Sequence, residues 1–201
     1  MGVEGKGVLR SLQNDSLPLV DLFIREAIQN SLDATRKDVK ATIVDVGIRQ
    51  FDSDLLAEHL EGLTTTLIQR YAETDTKALY VSDKNTYGLT GSVRNKEGNI
   101  YNLIYTIQKN QEQAGAGGSW GLGKTSYFRL GNGIVLYYSR IMLSDGTFEE
   151  RLAGSLIEDS TKDDRLLDND RGIAWWGTKD VNSSDNYEAS YPLIDLFYLT
   201  L

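Results

Sequence analysis

The stretch "GAGGSWGLGKTS", residues 115–126, decides between two folds for this chain. Within it, Gly118–Thr125 match the P-loop pattern G-x-x-x-x-G-K-S/T, in which Lys124 and Thr125 contact phosphates and Mg²⁺. A P-loop needs a buried strand directly before its glycines and a helix behind them. Here the preceding "QKNQEQAGAG" is polar, and about one helical turn follows before Gly131. The pattern therefore favours another way of holding a phosphate, and the P-loop stays as an alternative.

Length and composition are those of an ordinary globular protein. The 201 residues suit a single domain, 1–201, with 40% hydrophobic and 25% charged residues. No apolar run reaches the roughly 18 residues of a membrane helix, and no secretory signal opens the chain. The absence of cysteine excludes disulfides and favours the cytoplasm. A net charge of −8 does not support DNA as a partner, and the apolar ending "SYPLIDLFYLTL" predicts that the chain is the N-terminal part of a longer protein.

Hydrophobic periodicity predicts an α+β fold, with helices packed on one face of a mixed, mostly antiparallel sheet. The predicted helices span residues 17–38 and 52–72, and residues 99–111 fit a helix or a strand, with the helix favoured. The predicted strands are "ATIVDVGIRQF", "KALYVSD", "GIVLYYSRIML", "FEERLAGSLI" and "IAWW". The third and fourth strands are joined by the turn "SDG", which predicts a hairpin.

The first predicted helix carries Glu26, Asn30 and Asp33 at spacings of four and three, which place them on one face. A solvated face would explain a bare pattern of this kind. The small residues Ala27 and Ser31 beside them instead predict a face that something covers. An amide oxygen is a suitable Mg²⁺ ligand, and a carboxylate one turn away can orient and deprotonate a water molecule.

Two further stretches complete the pattern. In "YVSDKNTYGLTG", Asp83 ends a strand and can accept a hydrogen bond from an adenine amino group, while Asn85 and Gly88 turn the chain. In residues 92–124, five closely spaced glycines offer backbone N–H groups to an anion, and the short helix behind them adds its positive end. An ordinary turn and a flexible linker are the simpler explanations of these two stretches taken singly.

Together the three stretches resemble the motifs of the Bergerat-fold (GHKL) ATPases, which include gyrase B subunits, MutL proteins, large heat-shock chaperones and sensor histidine kinases. "EAIQNSLDA" looks like the E-x-x-x-N-S-x-D-A box, "DKNTYGLTG" is similar to the D-x-G-x-G box, and "GSWGLGKTS" resembles the phosphate lid. The second box departs from the pattern, with Asn85 and Tyr87 where the family often has glycine. The forms of the second and third boxes are similar to those of bacterial relatives of Microrchidia (MORC) ATPases.

The resemblance implies a two-layer α/β sandwich and specific site roles. Glu26 would be the catalytic base, and Asn30 would bind Mg²⁺ as well as the nucleotide. Contacts to ATP would come from Asp33, Ala34, Asp83, Asn85, Gly88, Leu89, Gly118, Trp120, Gly121, Leu122, Gly123, Lys124, Thr125 and Thr178. The last of these belongs to "WWGTKD", a candidate for the family's late Gly-Thr box, although that box could also lie beyond Leu201.

The resemblance also implies a cycle: slow Mg²⁺-dependent hydrolysis of ATP, closure of the lid at 92–124, and an ATP-dependent homodimer in which residues 1–16 cross to the partner. A downstream effector domain or protein would use the motion. A nucleotide-binding switch with little hydrolysis is the alternative, and Glu26 argues against it, because a carboxylate beside a triphosphate is unfavourable unless it does chemistry. His59, the single histidine, is interpreted as a surface or packing residue.

Overall fold

The computed structural model describes residues 5–10, 17–71, 77–91, 98–105, 124–168 and 171–177. They form six helices and five strands within these ranges. The helices are α1 (Gly5–Arg10), α2 (Leu19–Asp33), α3 (Ser53–His59), α4 (Thr64–Arg70), α5 (Asn99–Ile104) and α6 (Lys124–Leu130). The strands are β1 (Ile43–Gln50), β2 (Lys77–Lys84), β3 (Ile134–Met142), β4 (Phe148–Ile157) and β5 (Ile173–Trp176). Among these residues, no helix is long and apolar enough to cross a membrane.

The strands lie in two sheets, and every strand pair in the described ranges is antiparallel. β1 pairs with β2 from Ile43↔Lys84 to Gln50↔Lys77. The strands β3, β4 and β5 form a meander in that order, which confirms the predicted hairpin. The general α+β prediction is thus confirmed, whereas the described strands show two antiparallel sheets in place of one mixed sheet.

One predicted helix, residues 52–72, is divided in two. Asp52 caps α3, its Oδ1 accepting hydrogen bonds from the backbone N–H groups of Asp54 and Leu55 at 3.0 Å each. The helix ends at His59, and Gly62 has a φ of +88° before α4 begins. A left-handed residue cannot continue a right-handed helix, so the glycine separates the two helices.

Strand β4 is covered on both of its faces, whereas the sequence predicted helices on one face of the sheet. Its last six residues, Leu152–Ile157, are all buried, so both faces of the strand are covered. On one face, Leu152 and Leu156 pack in a cluster with leucines of α3 and α4. On the other face, Ala153 packs with α5 and Ile157 packs with Phe128 of α6. The prediction of helices on one face is therefore wrong for this sheet. The unbroken run of small and apolar residues in β4 is the sequence feature that indicates a strand covered on both faces.

Two adjacent tryptophans of β5 lie on opposite faces and differ in hydrogen bonding. Trp176 belongs to the α3–α4 cluster, and its Nε1 donates to the backbone oxygen of Glu61 at 2.9 Å. Trp175 packs with the α5 cluster, and its Nε1 is buried without a hydrogen-bond partner among the described residues. A buried donor without a partner costs free energy, whereas a satisfied donor contributes to stability.

We therefore expect Trp176→Phe to lower the free energy of unfolding by about 1–2 kcal/mol more than Trp175→Phe, since only the first substitution removes a hydrogen bond. Both substitutions remove a similar area of ring, so each serves as the control for the other. Urea unfolding followed by circular dichroism measures the difference. Equal losses, or a larger loss in Trp175→Phe, would contradict the assignment.

Candidate functional site

The end of α2 is tied to the end of β2 by buried Ser31. Its side chain is only 2% exposed, and its Oγ lies 3.0 Å from the backbone oxygen of Ala27 and 3.1 Å from Asp83 Oδ2. A hydroxyl has one proton, so Ser31 can donate to one of these acceptors at a time. The other carboxylate oxygen of Asp83 accepts from Thr86 Oγ1 at 2.7 Å. Thr86 therefore orients Asp83, and Ser31 adds a second hydrogen bond when its proton points to the carboxylate.

Backbone pairing brings the first and second motifs together. The Tyr87 N–H donates to the oxygen of Ala34 at 2.8 Å, and the Arg36 N–H donates to the oxygen of Asn85 at 3.1 Å. Residues after Asp33 therefore leave the helix to pair with the loop after β2, which is why α2 is shorter than predicted. Asn85 has a φ of +68°, a conformation that asparagine tolerates better than most residues.

The same loop is anchored to the three-stranded sheet. The Leu89 N–H donates to Ser139 Oγ at 2.8 Å. Arg151 Nη1 donates to the backbone oxygens of Leu89, at 2.9 Å, and Gly91. Arg151 in turn donates through Nε to Glu149 at 2.6 Å. These contacts connect the loop of the small sheet to strands β3 and β4.

Tyr127 of α6 joins Glu26 and Asn30 of α2. Asn30 Nδ2 lies 3.4 Å from the Tyr127 hydroxyl and 3.5 Å from Glu26 Oε1. Burial raises the pKa of Tyr127 to about 12; the Asn30 hydrogen bond opposes this shift, and the nearby charges of Glu26 and Asp83 add to it. Two carboxylates from separate motifs thus act on the same hydroxyl. The sequence did not single out Tyr127, Ser31 or Thr86 as site residues.

Asp33 lies apart from this group. It is exposed, and its Oδ1 accepts from Gln29 Nε2 at 2.8 Å. The structure thus brings Glu26, Asn30 and Asp83 together around Ser31 and Tyr127, and it places Asp33 on the solvent side of the helix end. A nucleotide contact by Asp33 stays a prediction.

The oxygen atoms of Glu26, Asn30 and Asp83 suit a cation that needs few protein ligands. The described residues contain no cluster of three or more His, Cys, Asp or Glu side chains that could hold a metal. Mg²⁺ usually keeps several waters and binds one or two protein groups together with phosphate oxygens. The nitrogen of the Asn30 amide faces Glu26 and Tyr127, so its oxygen is the atom that could ligate Mg²⁺.

Part of the predicted ATP site lies outside the described residues: Gly118, Trp120, Gly121, Leu122, Gly123 and Thr178. Lys124 is described only as the first residue of α6, and Thr125, beside it, is 1% exposed. Gly177 directly follows β5. α6 has seven residues, and β3 lies in an antiparallel hairpin. In the described part of the chain, these features weigh against a P-loop, which needs parallel strands.

No protein-family model matches this chain, and no match was found among curated proteins or solved structures. The resemblance to Bergerat-fold ATPases therefore rests on the three motifs and on the contacts between the first two.

Gly88 offers a test of the loop geometry. It has a φ of +69°, and a Cβ there would lie 2.5 Å from Ser139 Oγ, which already binds Leu89. Gly62 has a similar φ of +88° with nothing within 4 Å of its Cβ position. We expect Gly62→Ala to cost about 1 kcal/mol from backbone strain, and Gly88→Ala to cost about 2–4 kcal/mol because the clash adds to the strain. Equal losses in urea unfolding would show that the Gly88 loop does not pack against Ser139.

Proposed function

We propose that this chain is a Bergerat-type ATPase domain that binds ATP with Mg²⁺ and hydrolyses it slowly. The observation that carries the proposal is that Asp83, from the second motif, hydrogen-bonds Ser31, the residue next to Asn30 on α2. Tyr127 contacts Asn30 and lies close enough to Glu26 and Asp83 for both charges to act on its hydroxyl. Glu26 and Asn30 are half-buried, whereas a purely solvated helix face would leave its carboxylate and amide exposed.

Asp83 would recognise adenine. Ser31 and Thr86 hold its two oxygens, and each oxygen keeps a lone pair for a further donor. The exocyclic amino group of adenine can donate there, whereas guanine presents a carbonyl oxygen at the same ring position. The loop held by Ser139 and Arg151 would form the wall beside the base.

Asn30 would hold Mg²⁺ through its amide oxygen, and the bound ion would neutralise charge on the phosphates. Glu26, one turn earlier on the same helix, would orient the attacking water and accept its proton. Phosphoryl transfer depends mainly on positioning and charge neutralisation, so these groups suffice for slow turnover. Without a bound cation, Glu26 and Asp83 would repel a triphosphate.

The lid, dimer and effector belong to the same proposal. Residues 92–124 would close over the phosphates, with Lys124 and Thr125 beside them at the start of α6. Residues 1–16 would cross to a second copy when ATP is bound, and a downstream effector would respond. In the structure, Gly5 of this segment donates its N–H to the oxygen of Arg171 in its own chain, at 2.7 Å.

Substitutions at Glu26 and Asn30 should separate hydrolysis from binding. Glu26→Ala should lower turnover by about 10²–10⁴-fold while ATP binding stays the same or tightens, because a negative charge leaves the phosphate end. Asn30→Ala should lose both, because Mg²⁺ binding goes with it. Calorimetry and phosphate release measure the two quantities, and Glu58→Ala, at an exposed position of α3, serves as the control.

The same measurements also decide between the two classes of function. Wild-type turnover in Glu26→Ala would show that Glu26 is not the catalytic base, whereas a wild-type protein that binds ATP with little or no turnover would replace the ATPase by a nucleotide-binding switch. A protein that binds no ATP at all would reject both.

The role of Asp83 can be tested with a second carboxylate of the same sheet. Asp83→Ala should weaken ATP binding by about 1–3 kcal/mol, since the adenine amino group loses its acceptor. Asp45 also accepts a hydrogen bond, from Tyr80 at 2.8 Å, and lies on the opposite face of β1–β2, so Asp45→Ala should bind ATP normally. Calorimetry that gives Asp83→Ala the wild-type affinity would refute the adenine assignment.

A further inference from the structure

Tyr127 lies where α6 meets α2, and its position is fixed by packing. Its ring contacts the ring of Phe23 edge to face, with centroids 5.3 Å apart and planes at 78°. Phe23 is itself only 3% exposed. The hydroxyl of Tyr127 then reaches Asn30 Nδ2 at 3.4 Å. A rigid aromatic side chain therefore presents an acceptor to the flexible amide.

The direction of the Asn30 amide follows from this contact. A primary amide has its two N–H groups on one side and its oxygen on the other. Glu26 and Tyr127 both accept from the nitrogen, so the oxygen must point away from them. Both distances are long for hydrogen bonds.

We propose that Tyr127 is a positioning residue, whose hydroxyl holds the Asn30 amide by its nitrogen and so presents the oxygen to the Mg²⁺ of bound ATP. This inference rests on the proposed function. Since Tyr127 belongs to the helix that directly follows the glycine-rich stretch, the same contact couples α6 to the metal ligand. Packing alone would need only the ring, because burying a hydroxyl costs free energy unless it has a partner.

Tyr127→Phe tests the hydroxyl while keeping the ring. The Mg²⁺ concentration for half-maximal ATP turnover should rise about fivefold, as for the loss of one ordinary hydrogen bond. The kcat at saturating Mg²⁺ should stay within about twofold, since Glu26 remains in place. Tyr137→Phe is the matched control: it removes another interior hydroxyl, 3.5 Å from Ser155 Oγ, and should leave the Mg²⁺ dependence unchanged.

A second measurement does not need nucleotide. The side-chain amide signals of Asn30, assigned by their loss in Asn30→Ala, should shift in the ¹⁵N NMR spectrum of Tyr127→Phe and stay in place in Tyr137→Phe. Comparable melting temperatures for the two tyrosine variants show that both are folded. Unshifted Asn30 signals in Tyr127→Phe would overturn the proposed contact.

The outcomes separate this inference from the proposed function. If the wild-type protein shows no Mg²⁺-dependent ATP turnover, the proposed function fails and the role of Tyr127 fails with it. If the wild type turns ATP over and Tyr127→Phe has the same Mg²⁺ dependence, the positioning role alone is overturned. A fall in kcat with an unchanged Mg²⁺ requirement would also overturn it.

Discussion

The contact between Ser31 and Asp83 is the constraint on which the site depends. It joins the last turn of α2 to the end of β2, across 52 positions of sequence. Because Ser31 is buried, the carboxylate of Asp83 is held close to the helix face that carries Glu26 and Asn30. This side-chain contact between α2 and β2 holds the polar groups of the helix and of the strand on the same side of the fold.

The loop after β2 extends this constraint to the rest of the fold. Its backbone pairs with residues just beyond α2, and Ser139 and Arg151 then hold it on the three-stranded sheet. The two sheets are thus connected through the segment that would contact the base. A single loop therefore has three anchors, on a helix end, on β3 and on β4, and small changes in it should affect the whole site.

The charges around the candidate site determine whether it favours a cation or an anion. Glu26 and Asp83 bring negative charge to one region of a protein whose net charge is already −8. Such a region disfavours an anion by itself and favours a cation. Under the proposed function, the nucleotide would be bound together with Mg²⁺, with its base at Asp83 and its charged end towards Asn30. Tyr127 stays neutral in this environment, because burial raises its pKa to about 12.

The sequence by itself predicted most of the local structure and named Glu26, Asn30 and Asp83, which the structure brings to one region. Period-two and period-3.6 patterns located β1, β2, the β3–β4 hairpin and α2, because side-chain periodicity follows directly from backbone geometry. The spacing of Glu26 and Asn30 placed them on one helix face for the same reason. The pairing of these residues with Asp83 was inferred from motif resemblance, since no local pattern reports a contact between distant segments.

The tertiary structure alone decided the contacts that close over long separations. In the sequence, Tyr127 is an ordinary helix residue and Ser31 is a small flanking residue. In the structure, Tyr127 contacts Asn30 because α6 packs on α2, and Ser31 contacts Asp83 because β2 lies beside the helix. Which helices cover the two faces of β4 likewise depends on packing. Burial and hydrogen bonding between distant segments arise only when the chain is folded, because they depend on which surfaces meet and not on the order of neighbouring residues.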